Sequence, residues 1–280
     1  MIEPVAATRF LDLSDGRIAY DDTGGEAPFV LCIPGMGDLR SQFRVLRRQL
    51  VEAQWRVVTM DLRGTGESSV AWPSYTPSDV ADDAAALLRA KTRGRPAIVV
   101  GNSVAAASAI KMAATSAELV RALVLLGPVA RDQSLPELQA LAFSAVVAVG
   151  FAGPWGPAAW VAYYRRLYPT FARAGQPADL GEHLVALKRD LAERGRMAAL
   201  RGFIRASKAE SAALAGQVRA RVFAVMGSAD PDVVDPAAEL DRLAHAVGAK
   251  TLLLDGIGHY PHLEKPAITG PAVVEFLSTV

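Results

Sequence analysis

The strongest constraint on this chain is a set of six short apolar runs spaced by segments long enough to be helices. FVLCI (29–33), RVVTM (56–60), AIVV (97–100), ALVLL (122–126), RVFAVM (221–226) and TLLL (251–254) are continuous rather than alternating in apolarity. A strand with one wet face alternates polar and apolar residues, so unbroken Val, Ile and Leu mean coverage on both faces, as in a parallel sheet. The intervening segments, about 40–54, 77–92, 103–116, 236–247 and 266–278, supply the covering helices. Asp235-Pro236 reads as an N-cap followed by a first-turn proline. Ahead of them, RFLDL and RIAYDD around Asp15-Gly16 predict an antiparallel hairpin at the sheet edge. The expected fold class is α/β: a mostly parallel sheet flanked by helices.

The alternation fails once, between Pro128 and Arg219, where about ninety residues intervene before the next strand. The economical reading is a helical cap, 129–219, inserted after the sixth strand of a core made from 1–128 and 220–280. A chain of 280 residues lies near the upper size of one hydrophobic core, which suits a core with an insertion. Open α/β sheets bind ligands at the carboxyl ends of their strands, where such a cap would sit. Within it, ALAFSAVVAVGFAGPWGPAAWVAYY (140–164) carries no charge and is long enough to span a bilayer. Gly150, Gly153, Pro154, Gly156 and Pro157 break it into two short pieces, so we expect two cap helices and no membrane insertion. Its aromatic residues, Phe143, Phe151, Trp155, Trp160, Tyr163 and Tyr164, exceed what two short helices need for packing. Trp155 and Trp160 are the expected substrate-binding residues, lining an apolar pocket.

Thirty basic residues against 29 acidic leave a formal charge of +1 with no basic cluster, which argues against nucleic acid or an anionic membrane as partner. The single Cys32 lies in an apolar run and reads as a small buried hydrophobe. The first residues, MIEPVAATRFLDLSDG, lack a basic start and a long apolar segment, so a cytoplasmic location is expected. No His, Cys or carboxylate set has metal-ligand spacing, and GNSVAA lacks the lysine of a phosphate-binding loop. We therefore expect no metal and no cofactor, and a small-molecule substrate as partner.

Chemistry enters at IVVGNSVAAASAIKM (98–112), where a strand run reaches Ser103 and turns into an alanine-rich helix. Ser103 is either the helix N-cap or a nucleophile presented on a sharp strand–helix turn. A nucleophile needs a histidine to take its proton and a carboxylate to fix that histidine's tautomer. Both follow in order, each just past a strand end: Asp230 or Asp232 in GSADPDVVDP, then His259 or His262 in IGHYPHLEKP. Asp132 is a weaker candidate acid, His262 reads as structural, and His183 and His245 fall in helical contexts where they are expected to be solvated. The helix after Ser103 offers its positive end and the N–H of Val104, one half of an oxyanion hole. IPGMGDLR offers the other half, the N–H of Met36, between Gly35 and Gly37, which allow close backbone approach. In DLRGTGES (61–68), Asp61, Arg63 and Ser68 read as turn-forming and pairing residues.

The order of elements, the elbow VVGNSVA, the loop IPGMGD, the segment DLRGTGES and the tails GSADPD and GIGHYPHLE together resemble the α/β-hydrolase fold superfamily. The resemblance implies Ser103 as nucleophile, His259 as general base, Asp230 as its orienting acid, and Met36 and Val104 as backbone oxyanion donors. It departs from the common pattern at Ala105, where many members have glycine, and at Pro34, where a histidine is frequent. The implied activity is a cofactor-independent serine hydrolase that cleaves an ester, thioester or lactone with an apolar portion through an acyl-enzyme. Gly-Asn-Ser followed by LLGP is also similar to the branch that hydrolyses carbon–carbon bonds of ring-cleavage products, for which Arg201 and Arg205 would bind an acidic substrate. A ligand-binding member without turnover is the third reading. An unperturbed imidazole would place the acidic limb of the rate profile near about pH 6.5.

Overall fold

The computed structural model describes residues 7–132, 147, 149–169 and 179–280. Eight strands form one sheet in the order β1-β2-β4-β3-β5-β6-β7-β8. β1 (Arg9–Leu13) and β2 (Gly16–Asp22) are the expected edge hairpin, paired from Arg9↔Tyr20 to Leu13↔Gly16. β2 runs antiparallel to β4 (Arg56–Met60), and β3 (Phe29–Ile33), β5 (Ala97–Asn102), β6 (Val120–Leu126), β7 (Arg221–Gly227) and β8 (Ala249–Leu254) continue the sheet in parallel. All five residues of FVLCI are buried, as unbroken apolarity predicts.

Successive side chains of a strand leave opposite faces of the sheet, and here each face has its own apolar layer. Leu31, Val58, Val99, Leu123 and Ala224 pack beneath α2 (Pro77–Thr92), α3 (Ala105–Thr115) and α8 (Pro236–Val247). Val30, Val57, Val100, Val124 and Phe223 pack beneath α1 (Arg44–Glu52) and α10 (Pro266–Leu277). Local signals start these helices: Thr76 and Asp79 form a capping box on α2, and Asp235 accepts from the N–H of Ala238 at 3.0 Å on α8. The segment expected as one helix from 40 begins as a 3-10 turn, Arg40–Phe43, before α1. Arg40 is held in that turn by Asp21, Asp61 and Glu67. Arg63 forks onto Asp83 with two bonds of 2.8 Å, and Ser68 Oγ accepts the N–H of Ala19, so DLRGTGES does the pairing expected of it.

Between β6 and β7 stand α4 (Gly156–Arg166), α5 (Leu180–Leu191), α6 (Arg196–Arg205) and α7 (Ala209–Leu214). They bury Trp160, Tyr164, Leu180, Leu184, Leu187 and Leu200 in a third apolar cluster that also takes in Tyr260 and Leu263 from beyond β8 and touches Met36 and Leu39 from beyond β3. The inserted helices thus share their core with two loops at the carboxyl edge of the sheet. Of the uncharged stretch 140–164, residues 140–146 and 148, Phe143 among them, lie outside the described residues. Among the described residues no helix is long and apolar enough to cross a membrane.

Candidate active site

β5 ends at Asn102 and α3 begins at Ala105, and between them Ser103 adopts φ +57°, the left-handed region that a residue with a Cβ rarely enters. That backbone costs about 1 to 3 kcal/mol and must be held by its surroundings. Four bonds hold it: Ser103 N–H to the Leu126 carbonyl at 3.0 Å, Asn102 Nδ2 to the same carbonyl at 2.8 Å, and the N–H groups of Ala106 and Val129 to the Ser103 carbonyl at 3.0 and 3.1 Å. Two glycines make room for it. A Cβ on Gly101 would stand 2.7 Å from the Ala105 carbonyl oxygen, and one on Gly35 would stand 2.9 Å from Ser103 Cβ. No side chain caps the first turn of α3, so Ser103 does not act as an N-cap. The hydroxyl is left for other work.

Around it are the two backbone donors. Met36 lies between Gly35 and Gly37, the latter at φ +64°, and Val104 is the residue before α3. Among the described residues, neither N–H is donated to another group. Of these, Val104 directly follows Ser103 at the N-terminal end of α3, and Met36 stands half-buried next to Gly35, which packs against Ser103.

His259 follows β8 with its backbone pinned: its N–H donates to the Leu167 carbonyl at 2.9 Å, and a Cβ on Gly127 (φ +51°) would stand 2.3 Å from its carbonyl oxygen. Gly127 directly follows Leu126, whose carbonyl holds Ser103, so the end of β6 fixes both residues. The imidazole is buried, and Nδ1 lies 2.7 Å from Oδ2 of the buried Asp230. This bond has Nδ1–H donating to Asp230 and leaves Nε2 on the opposite side of the ring. Oδ1 of Asp230 accepts the N–H of Asp232 at 2.9 Å, which orients the carboxylate. The Asp232 carboxylate comes to 3.7 Å from Nε2 and accepts from the Tyr163 hydroxyl of α4. No hydrogen bond joins Ser103 to the ring among the described residues; the neighbour of Nε2 is Asp232. Burial alone would lower the imidazole's proton affinity, but Asp230, Asp232 and Glu264 outweigh it and raise the pKa to about 9, well above the ordinary range expected from sequence. Burial in turn raises the Asp232 carboxyl, with His259 opposing.

The remaining residues singled out by sequence fall elsewhere. His262 is buried and stacked on Phe43, with both ring nitrogens unpartnered among the described residues; burial, then Arg44 and His259, push its pKa down to about 3. His183 is not solvated: Nε2 lies 2.8 Å from Asp38 and Nδ1 3.2 Å from Ser41 Oγ, because the apolar face of α5 turns it inward. His245 is exposed, and Asp132 holds Ser207 and Lys208 before α7. Trp160 reaches the loop after β3, donating Nε1–H to the Gly37 carbonyl at 2.7 Å, whereas Trp155 stands 56% exposed with its ring against Gly153 and is not brought to the site. Arg201 donates to the Phe151 carbonyl and Arg205 is exposed. Asp38 is a residue that sequence reading missed. It accepts from Tyr164 at 2.7 Å and meets His183, tying the loop of Met36 to α4 and α5. Its only sequence signal is an acid placed between Gly37 and Leu39 in an otherwise apolar loop.

The sequence pattern of the alpha/beta hydrolase fold matches residues 28–266. The chain belongs to this family. It is 30% identical over 145 residues to 2-(acetamidomethylene)succinate hydrolase of Mesorhizobium japonicum, covering 50% of this chain and 51% of that one, so the likeness spans about half of the relative's length. Among solved structures it resembles a thermophilic esterase from Thermogutta terrifontis, with TM-score 0.80 and 22% identity over 98% of this chain and 99% of that one. It also resembles a bromoperoxidase from Bacillus anthracis, with TM-score 0.82 and 18% identity over 97% and 100% of the two chains. These structural likenesses concern the fold. Family membership supports hydrolase activity.

Proposed function

We propose that this protein is a serine hydrolase acting on an ester, thioester or lactone with an apolar portion, through Ser103, His259 and Asp230. The observation that carries the reading is the left-handed backbone of Ser103 at a strand–helix seam, held by four hydrogen bonds while its hydroxyl caps nothing. Strain of this kind persists where the surroundings enforce it, and a strained serine at the start of a helix, near backbone N–H groups that no protein acceptor fills, supports a nucleophile with oxyanion donors at hand. Nε2 of His259 takes the Ser103 proton as Oγ attacks the carbonyl carbon, and the N–H groups of Met36 and Val104 receive the developing oxyanion. Asp230 holds the imidazolium, which then protonates the leaving group. Water, activated by the same imidazole, releases the acid and restores Ser103.

In this reading residues 129–219 are a cap over the core, with Trp160 and Tyr163 forming part of a pocket above Ser103. No metal or cofactor is called upon. The relative from Mesorhizobium japonicum acts, by its name, on a dicarboxylate, and the cap arginines would have to serve such a substrate; Arg201 is bonded to a carbonyl of the insertion instead. We therefore rank the neutral acyl substrate ahead of an acidic carbon–carbon cleavage substrate. The test is mass spectrometry of the intact protein after a fluorophosphonate, with 4-nitrophenyl butyrate turnover measured beside it. A single adduct on Ser103 and loss of both signals in Ser103→Ala are expected. Turnover that survives Ser103→Ala overturns the assignment.

A further inference from the structure

Three residues of α4 and its C-cap hold the two loops on which the proposed chemistry depends. Trp160, Tyr164 and Leu167 stand at i, i+4 and i+7, the spacing of a single helix face. Trp160 donates Nε1–H to the Gly37 carbonyl at 2.7 Å, and Tyr164 donates its hydroxyl to Asp38 at 2.7 Å, so both grip the loop after β3, next to Met36. Leu167 lies at the C-terminal end, where helix carbonyls lack intrahelical donors, and its carbonyl accepts the N–H of His259 at 2.9 Å. Both loops are shaped to this helix. A Cβ on Gly37 would stand 2.5 Å from the Trp160 ring, and one on Gly258 would stand 2.3 Å from the Leu167 carbonyl oxygen, so each loop meets α4 at a residue with no room for a side chain.

Asp38 is fully buried; its carboxylate accepts from Tyr164 and from the N–H of Leu39 at 2.7 Å, and lies 2.8 Å from His183 Nε2 of α5. A buried carboxylate ringed by α4, α5 and its own loop resists displacement, because moving it away strands a charge where water does not reach. Its loop therefore follows α4, as the backbone of His259 does through Leu167. Preorganised donors act only when they stand about 2.7 to 3.1 Å from the forming oxyanion, and a displacement on the order of 1 Å costs about 10²-fold in rate. We propose that α4 sets the spacing between the oxyanion donor of Met36 and the base His259, with Tyr164 and Asp38 as the positioning residues that hold the donor's loop. Neither touches the reacting atoms. The helices between β6 and β7 then contribute to kcat as well as to substrate binding. This inference rests on the serine-hydrolase reading and adds to it two residues outside the triad.

Tyr164→Phe removes the hydroxyl and keeps the ring, so it breaks the bond to Asp38 without opening a large cavity. With 4-nitrophenyl butyrate as substrate, and active enzyme counted by fluorophosphonate titration of Ser103 to completion, kcat should fall about 10- to 100-fold while KM stays within about threefold. Butyl trifluoromethyl ketone, which adds to a serine as a tetrahedral anion, should lose affinity by the same factor as kcat/KM, because the anion needs the Met36 donor and the bound ester does not. Asp38→Asn acts through the same bond, so the double variant should fall no more than about twofold below the worse single one. If Tyr164→Phe does not fold, Trp160→Phe, which loses the bond to Gly37, should show the same split between kcat and KM. A lowered melting temperature with kcat per titrated serine and ketone affinity unchanged means a merely structural role; it overturns the inference and leaves the hydrolase reading intact. A raised KM at constant kcat, or losses that multiply in the double variant, also overturns it. If no ester is cleaved by the wild type and the fluorophosphonate leaves Ser103 unmodified, the hydrolase reading falls and the inference with it.

Discussion

The acidic limb of the rate profile should lie far above the ordinary histidine range. Among the described residues, the groups that act on the His259 ring are Asp230 and Asp232 from the loop after β7, Glu264 from the short α9 (Pro261–Glu264), and its neighbour Tyr260. With the imidazole titrating at about 9, only about 1% of the enzyme holds a neutral base at pH 7, against about three-quarters at an unperturbed pKa of about 6.5. Substituting Asp232 removes one of the charges responsible. At 3.7 Å and an effective dielectric of about 20, a full charge interacts with the imidazolium by about 4 kcal/mol, equivalent to about three pH units. Screening and relaxation around the pair reduce this, so the expected displacement in Asp232→Asn is smaller, about one to two pH units toward acid. At pH 7 this variant should then cleave a neutral ester about tenfold or more faster than the wild type. The assay is kcat/KM for 4-nitrophenyl butyrate from pH 5.5 to 10, read at an isosbestic wavelength with spontaneous hydrolysis subtracted. A wild-type midpoint near 6.5 that does not move in Asp232→Asn would refute the electrostatic reasoning.

Ser103→Gly should abolish turnover, by about 10⁴ to 10⁶ in rate, and raise the melting temperature, because glycine accepts φ +57° without strain; an N-cap role would instead cost about 1 kcal/mol. Asp230→Asn should lose about 10⁴ in kcat with the tautomer unfixed, the opposite of the gain expected for Asp232→Asn, and equal losses in both would sink the division of roles. Stability should peak near pH 6.5. The raised pKa of His259 gives stabilisation that is complete below about 6.5 and lost as pH rises through about 9, while the lowered pKa of His262 gives stabilisation complete above about 6.5 and lost as pH falls toward about 3. His262→Phe should keep the stack on Phe43 and flatten the acid arm in thermal melts at pH 4 to 6.5; an unchanged acid arm refutes it. Across 4-nitrophenyl acetate to octanoate, each buried methylene should raise kcat/KM about fourfold until the pocket fills, and Trp160→Ala should flatten that climb. If acetate is the best substrate and Trp160→Ala leaves the trend as it was, the apolar pocket is wrong.

How much of this was legible in the sequence depends on the range of the interaction that writes the signal. The parallel sheet was readable because two-sided burial acts on every residue of a strand: FVLCI has no position at which a polar side chain would be tolerated, and five buried positions in a row say so. The seam at Ser103 was readable in part. Small residues around it mark a tight turn, yet the sequence carries neither the left-handed φ of +57° nor the absence of a side-chain cap on α3, the two observations that speak against the cap. The order Ser103, Asp230, His259 was accessible because parallel topology brings every strand's carboxyl end to one edge. Much of what stayed hidden lies between β6 and β7. His183 lies on a helix whose face was not assignable without knowing what it packs against, so its burial against Asp38 could not be read. Trp155 and Trp160 are five residues apart in one uncharged stretch and looked alike; the turn before α4 sends one to solvent and the other onto Gly37. Asp232 is the sharpest case. Two positions from Asp230 in GSADPDVVDP it looked like a rival for the same task, and only the loop's curvature separates them, setting one carboxylate on Nδ1 and the other beside Nε2. A spacing of two residues in a loop carries no fixed direction, unlike the same spacing in a strand. For the proposed chemistry the consequence is that the acid on Nδ1 would orient the base while the acid beside Nε2 would raise its proton affinity, so one loop would set the working pH.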